Sequence, residues 1–108
     1  MANQFTSYVS KDVGTSPASI LTVSANTQTT LIGLSCANTT DSPVTVDAYV
    51  TRSAVNYYLI KGAEVPVGST LAIVGGDQKV VVIPADVVRV VSSADTSVDV
   101  FASVLNIT

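Results

Sequence analysis

The chain has 108 residues, with 47% hydrophobic and 12% charged side chains and a net charge of −3. That length fits a single domain able to withdraw about 60–70% of its unfolded surface from water. The five basic residues, Lys11, Arg52, Lys61, Lys79 and Arg89, are scattered and form no stripe to neutralise phosphates, so nucleic acid is not an expected partner.

Valine supplies much of the apolar content, and its branched β-carbon suits the pleated surface of a sheet. The N-terminal Met1–Thr6 has neither a basic n-region nor an apolar h-region, so no signal peptide is expected. No apolar run is long enough to span a bilayer, so no membrane partner is expected. Residues 1–18 are polar and contain the loop signal Gly14-Thr15-Ser16-Pro17. Phe5, Tyr8, Val9 and Val13 fit either an edge strand or an arm lying on a neighbouring subunit. A β-sandwich domain is predicted over 19–108.

Ile20–Val23 is a brief strand, and Gln28–Ala37 is the next. Strict alternation there sets Ile32, Leu34 and Cys36 on one face and Leu31, Gly33 and Ser35 on the other. Cys36 is alone, so it forms no internal disulfide; the alternation makes it a small buried hydrophobe, and folding in a reducing cytoplasm is expected. The turn formers Asn38–Pro43 lead into Val44–Thr51, with Val44, Val46, Ala48 and Val50 inward and Thr45, Asp47, Tyr49 and Thr51 outward. Tyr57–Lys61 is a strand closed by Gly62, and Pro66 marks a turn or an edge. Thr70–Val74 and Val80–Ile83 flank a hairpin connection at Gly75-Gly76-Asp77. Pro84-Ala85-Asp86 turns the chain into Val87–Val91, and Ser92–Ser97 leads to the last strand, Val98–Ile107. There Val98, Val100, Ala102 and Val104 share one face, and Asp99, Phe101, Ser103, Leu105 and Ile107 share the other.

About eight strands at roughly ten-residue spacing predict an all-β antiparallel sandwich, jelly-roll or immunoglobulin-like, with an N-terminal arm. The second face of the last strand is too apolar for a solvated surface, which points either to an interface, the reading favoured here, or to cover by the N-terminal segment. Phe5, Tyr8, Tyr49, Phe101, Leu105 and Ile107 are the candidate contacts in a homo-oligomer.

Reactive chemistry is sparse. There is no His and one Cys, which removes the commonest general base and the usual zinc ligands. The carboxylate pairs Asp41/Asp47, Asp95/Asp99 and Glu64/Asp77 form no calcium loop, and Gly75-Gly76 opens no phosphate-binding helix. No catalytic residue, metal or cofactor is expected, and the chain reads as a non-enzyme. Tyr57 and Tyr58 are adjacent, so one of them points outward.

Residues 27–108 resemble small virion structural proteins of tailed bacteriophages, including those of phages that infect cyanobacteria. The resemblance rests on Thr29–Asn38, on Tyr57–Gly62 with Val65–Ser69, on Gly75–Val82 and on Ser97–Leu105. Where those proteins show Leu-x-x-Gly-Asp, this chain has Ile83-Pro84-Ala85-Asp86, without the glycine. The resemblance implies a structural component of a virion, made in the host cytoplasm, that binds copies of itself and capsid, neck or tail proteins. Capsid decoration and a neck or tail accessory are the roles it implies. The alternative is a carbohydrate-binding sandwich at a receptor-contacting tail tip.

Overall fold

The computed structural model describes residues 3–75 and 78–107, and these contain nine β-strands and no helix. The strands are β1 (Asn3–Val13), β2 (Ala18–Thr22), β3 (Gln28–Asn38), β4 (Val44–Arg52), β5 (Val55–Val65), β6 (Thr70–Val74), β7 (Val80–Val82), β8 (Val87–Ser92) and β9 (Val98–Ile107). Two antiparallel sheets pack face to face. The larger has the order β1-β9-β3-β6, with β7 pairing β3 beyond the end of β6, and the smaller has the order β2-β8-β4-β5. The chain crosses between sheets at nearly every connection. That order is a jelly roll in which β6 and β7 together occupy one strand position. It excludes the immunoglobulin-like alternative, whose strands are ordered differently.

The core lies between the sheets and is built mainly from valine. Val46, Val88, Val90, Val98, Val104 and Val65 are essentially sealed from solvent, together with Leu31, Leu34, Ala48, Ala102 and Cys36. Strands β4 and β9 show the expected alternation, because every second side chain of a strand points to one face. Val44, Val46, Ala48 and Val50 face inward on β4, as do Val98, Val100, Ala102 and Val104 on β9.

Strand β3 departs from the expected alternation. Its pairing with β9 shifts register between Leu31 and Gly33, and this bulge absorbs one residue. Thr29 and Leu31 are buried before it, and Leu34 and Cys36 after it, while Ile32 is left half-buried. Leu31 therefore belongs to the core in place of Ile32.

Gly62 does not end its strand either. It lies inside β5 at φ 65°, in a bulge opposite Asp47, and its N–H donates to Asp47 Oδ1 at 2.7 Å. The turn at Pro66 is as expected: Ser69 N–H donates to Pro66 O at 3.1 Å with Gly68 at φ 69°, the geometry that favours glycine at the third turn position. Ile83 lies just past β7, in the turn to β8. The Gly75-Gly76-Asp77 connection includes Gly76 and Asp77, which lie outside the described residues, as does the Glu64/Asp77 pair.

Residues 3–13 form an edge strand of the larger sheet. From Asn3 to Ser10, β1 pairs β9 without interruption, and a shift before Val13 accompanies Asp12 at φ 57°. Gly14 then passes close to the 92–97 loop, where an added β-carbon would lie 3.1 Å from Asp95 Cα. Ser92 N–H donates to Gly14 O, and Ser97 N–H donates to Val13 O, so this corner is tied by backbone bonds.

Candidate functional site

The outer face of the larger sheet is built by residue parity along β1 and β9. Phe5 stands opposite Leu105, Val9 opposite Phe101, and Asn3 opposite Ile107. Across β9 the rows continue: Leu105 faces Thr30, which faces Val81 of β7, and Phe101 faces Ser35, which faces Ala72 of β6. Phe5 is 74% exposed, Val9 68%, Val81 66% and Phe101 51%. Leu105 and Ile107 are half-buried beside them. A shallow depression of about 360 Å³ runs next to Phe101, lined by Val9, Ser35, Ala37 and Thr70. One charged pair borders it, with Lys11 Nζ 3.4 Å from Asp99 Oδ2.

Four of the six candidate contacts, Phe5, Phe101, Leu105 and Ile107, thus share one face. The other two sit elsewhere. Tyr8 has the opposite parity from Phe5, so it turns inward and packs against the core. Tyr49 lies on the smaller sheet, only 6% exposed, with its ring 5.0 Å from that of Tyr58. Lys61 Nζ lies 4.4 Å from the centre of the Tyr58 ring. Val9, which the sequence places on an edge strand or arm but not among the six contacts, and Val81 are further large apolar contributions to this face. Val9 was recoverable from the period-two spacing Phe5, Ser7, Val9; the position of Val81 depends on β7 joining β3.

A second groove of about 360 Å³ opens at the lateral edge where β5 of the smaller sheet meets β7 of the larger, lined by Val50, Arg52, Tyr57, Tyr58, Leu59 and Val80–Val82. Its one charged side chain is Arg52, which is held by a buried carboxylate. Arg52 Nη2 donates to Asp86 Oδ2 at 2.6 Å and Nε donates to Oδ1 at 2.9 Å. Among the described residues that line it there is no Ser, Cys, Lys or carboxylate.

Three further carboxylates hold local structure. Asp95 Oδ1 accepts the Thr15 hydroxyl at 2.8 Å, Asp99 Oδ1 accepts the Asp12 N–H, and Asp47 accepts the Gly62 N–H. Among the described residues, no group of three or more His, Cys, Asp or Glu is placed to hold a metal ion. Cys36 is sealed in the core, and burial pushes its thiol pKa up to about 11. At neutral pH it is neither thiolate nor accessible.

No family model matches the chain, and no curated protein matches it. A solved structure of a Bacillus endospore appendage, from a novel family of disulfide-linked pili, is similar in fold. The TM-score is 0.57 at 16% sequence identity, covering 99% of this chain and 87% of that one. At that identity the likeness establishes the shared sandwich fold, and the protein it concerns is a pilus protein.

This finding overturns the expectation of a phage virion component, and with it the virion localisation, the capsid, neck and tail partners and the tail-tip alternative. The fold matches that of a spore-appendage pilus, with no link to a phage particle. The reason lies in the segments that carried the resemblance. Alternating valines, a Pro-x-Gly turn and a Tyr-Tyr strand are what any small sandwich requires, so they specify an architecture and not a lineage.

Proposed function

We propose that this chain is a non-enzymatic structural subunit that assembles with copies of itself into a fibre. One observation carries the reading: the fold of a pilus protein is matched over 99% of the chain. The surface chemistry agrees with it. Phe5–Leu105 and Val9–Phe101 form two apolar cross-strand pairs, either side of Ser7–Ser103, on a sheet face that the described residues leave uncovered, and such patches mark association sites.

The chemistry of linkage differs from that of the pilus it resembles. To join a row of subunits by disulfides, each must offer at least two cysteines, one toward each neighbour. These 108 residues contain only Cys36, and it is buried. Association through this domain is therefore non-covalent. Negative-stain electron microscopy of the purified protein in excess dithiothreitol tests the reading. Filaments are expected; a uniform field of single particles at near-millimolar subunit concentration would refute it.

A further inference from the structure

The sandwich presents four lateral edges. Strands β1 and β2 border one side, and β5 with β6 and β7 border the other. Unpaired edges template the addition of another strand unless something blunts them, and shortness, bulges and charged side chains are the usual devices. Three of the four edges carry such devices. Strand β2 has five residues and a register shift between Ser19 and Leu21. Strands β6 and β7 have five and three residues and are separate strands. Strand β5 is long, but its pairing with β4 is irregular at Leu59 and again at Lys61-Gly62, and it carries Lys61 and Glu64. Its longest regular run is the four residues Val55–Tyr58.

Strand β1 has none of these devices before its end. Asn3 to Ser10 is paired to β9 in unbroken register, and it contains no charged residue, no proline and no glycine. Lys11 and the positive-φ Asp12 come only where the regular strand stops.

Resting on the self-association proposed above, we infer that β1 pairs antiparallel with β1 of a second copy about a two-fold axis through Ser7. The register follows from the residues. A two-fold axis perpendicular to the sheet keeps outer faces together, so each residue must meet one of its own parity. Centring on Ser7 sets Phe5 opposite Val9 of the second copy, and Val9 opposite its Phe5. Moving the centre to Thr6 sets Phe5 against Ser7 and Val9 against Asn3; moving it to Tyr8 sets Phe5 against Lys11. Only the Ser7 register pairs the two most exposed apolar side chains of the strand with each other, and such cross-strand pairs stabilise a sheet. It also joins the rows already present. Leu105–Phe5 of one copy runs directly into Val9–Phe101 of the other, giving two symmetry-related apolar rows that cross both sheets on either side of the paired Ser7 residues. No like charges meet in this register, since Lys11 faces Asn3. A two-fold contact closes a pair, so growth of a fibre uses another surface of that pair.

Disulfide trapping tests the register. Residues directly opposite in an antiparallel pair lie about 4.5–5.5 Å apart at Cα, within the range that a disulfide spans. Ser7→Cys, exposed and on the axis, is expected to give a covalent dimer as its dominant oxidised product. Gln4→Cys, whose symmetry mate lies about 20 Å away in this register, is expected to give a trace. Cys36 is buried and does not contribute. Adding Phe5→Lys to Ser7→Cys charges the edge at an exposed position and is expected to suppress the dimer while far-ultraviolet circular dichroism stays native. Equal cross-linking of Ser7→Cys and Gln4→Cys, or none from either, overturns the pairing. Filaments that form without the Ser7 cross-link overturn the pairing and leave the fibre reading standing. A Ser7-linked dimer that never grows further upholds the pairing and overturns the fibre reading.

Discussion

Asp86 is the side chain on which one end of the sandwich depends. Its carboxylate is 1% exposed and accepts three donors: Arg52 Nε, Arg52 Nη2 and the Ile83 N–H at 2.9 Å. Its backbone completes the joint, accepting from Val23 N–H and donating to Ile83 O. The turn before β8 is thereby fastened to the end of β4 and to the β2–β3 connection. The hydrogen bonds from Arg52 hold the Asp86 pKa below its usual value, against the opposing effect of burial. A carboxylate with a lowered folded pKa contributes stability that is fully present above the unfolded value of about 3.9 and lost as pH falls through the folded value. Asp86→Asn is expected to cost about 2 kcal/mol at neutral pH, from weakened bonds to a buried site. Thermal melts from pH 7 to pH 2 check this: the gap between native and variant stays constant down to about pH 4 and narrows below it. A gap that is constant throughout would show that Asp86 is not the titrating group.

Two turns at the same scale carry strain that a substitution relieves. Ser53 and Ala54 both have positive φ in the two-residue loop between Arg52 and Val55. That conformation favours Asn-Gly. Ala85 has φ 75° at the third position of the Ile83–Asp86 turn, where glycine is favoured. The double change Ser53→Asn with Ala54→Gly, and separately Ala85→Gly, are each expected to raise stability by about 1 kcal/mol in urea unfolding. The Arg52–Val55 hairpin was hidden in the sequence for this reason, since Ser-Ala carries none of the usual signals for a tight turn.

Strands were legible where nothing interrupts them. Val44–Val50 and Val98–Val104 keep strict alternation because neither strand carries an extra residue across its own core-facing run. That regularity is also why Phe101, Leu105 and Ile107 were placed correctly on the outward face of β9. The bulge in β3 was not legible, because Leu31 and Ile32 are equally apolar and only the register against β9 decides between them. Leu31→Ala is expected to cost about 3 kcal/mol, and Ile32→Ala about 1 kcal/mol, in chemical denaturation. The reverse order would mean that the strand keeps simple alternation. Tyr49 illustrates the other limit. Its outward parity was readable, but the residue that covers it, Tyr58, is a cross-strand neighbour that no local pattern specifies.

At the scale of the whole molecule, the sandwich closes its core well and leaves the outer face of the larger sheet apolar. Phe101 contributes nothing to the closed interior, since it is half-exposed on that face. Phe101→Asp is therefore expected to leave the melting temperature within about 2 °C of native while sharply reducing the amount of assembled material that pellets. Loss of fold in the variant would place Phe101 in the core instead. The phage-like sequence segments were misleading at this scale because they reported the sandwich and not its partners; which faces and edges a sandwich leaves open is decided only when its strands are assembled.

Under the proposed function, these apolar and edge surfaces drive self-association without covalent links. Sedimentation velocity over a wide concentration range, in the presence of reductant, addresses it directly. Species that grow beyond a dimer as concentration rises, and that are unchanged by reductant, are expected. A single monomer boundary at every concentration, or growth abolished by reductant, would contradict it.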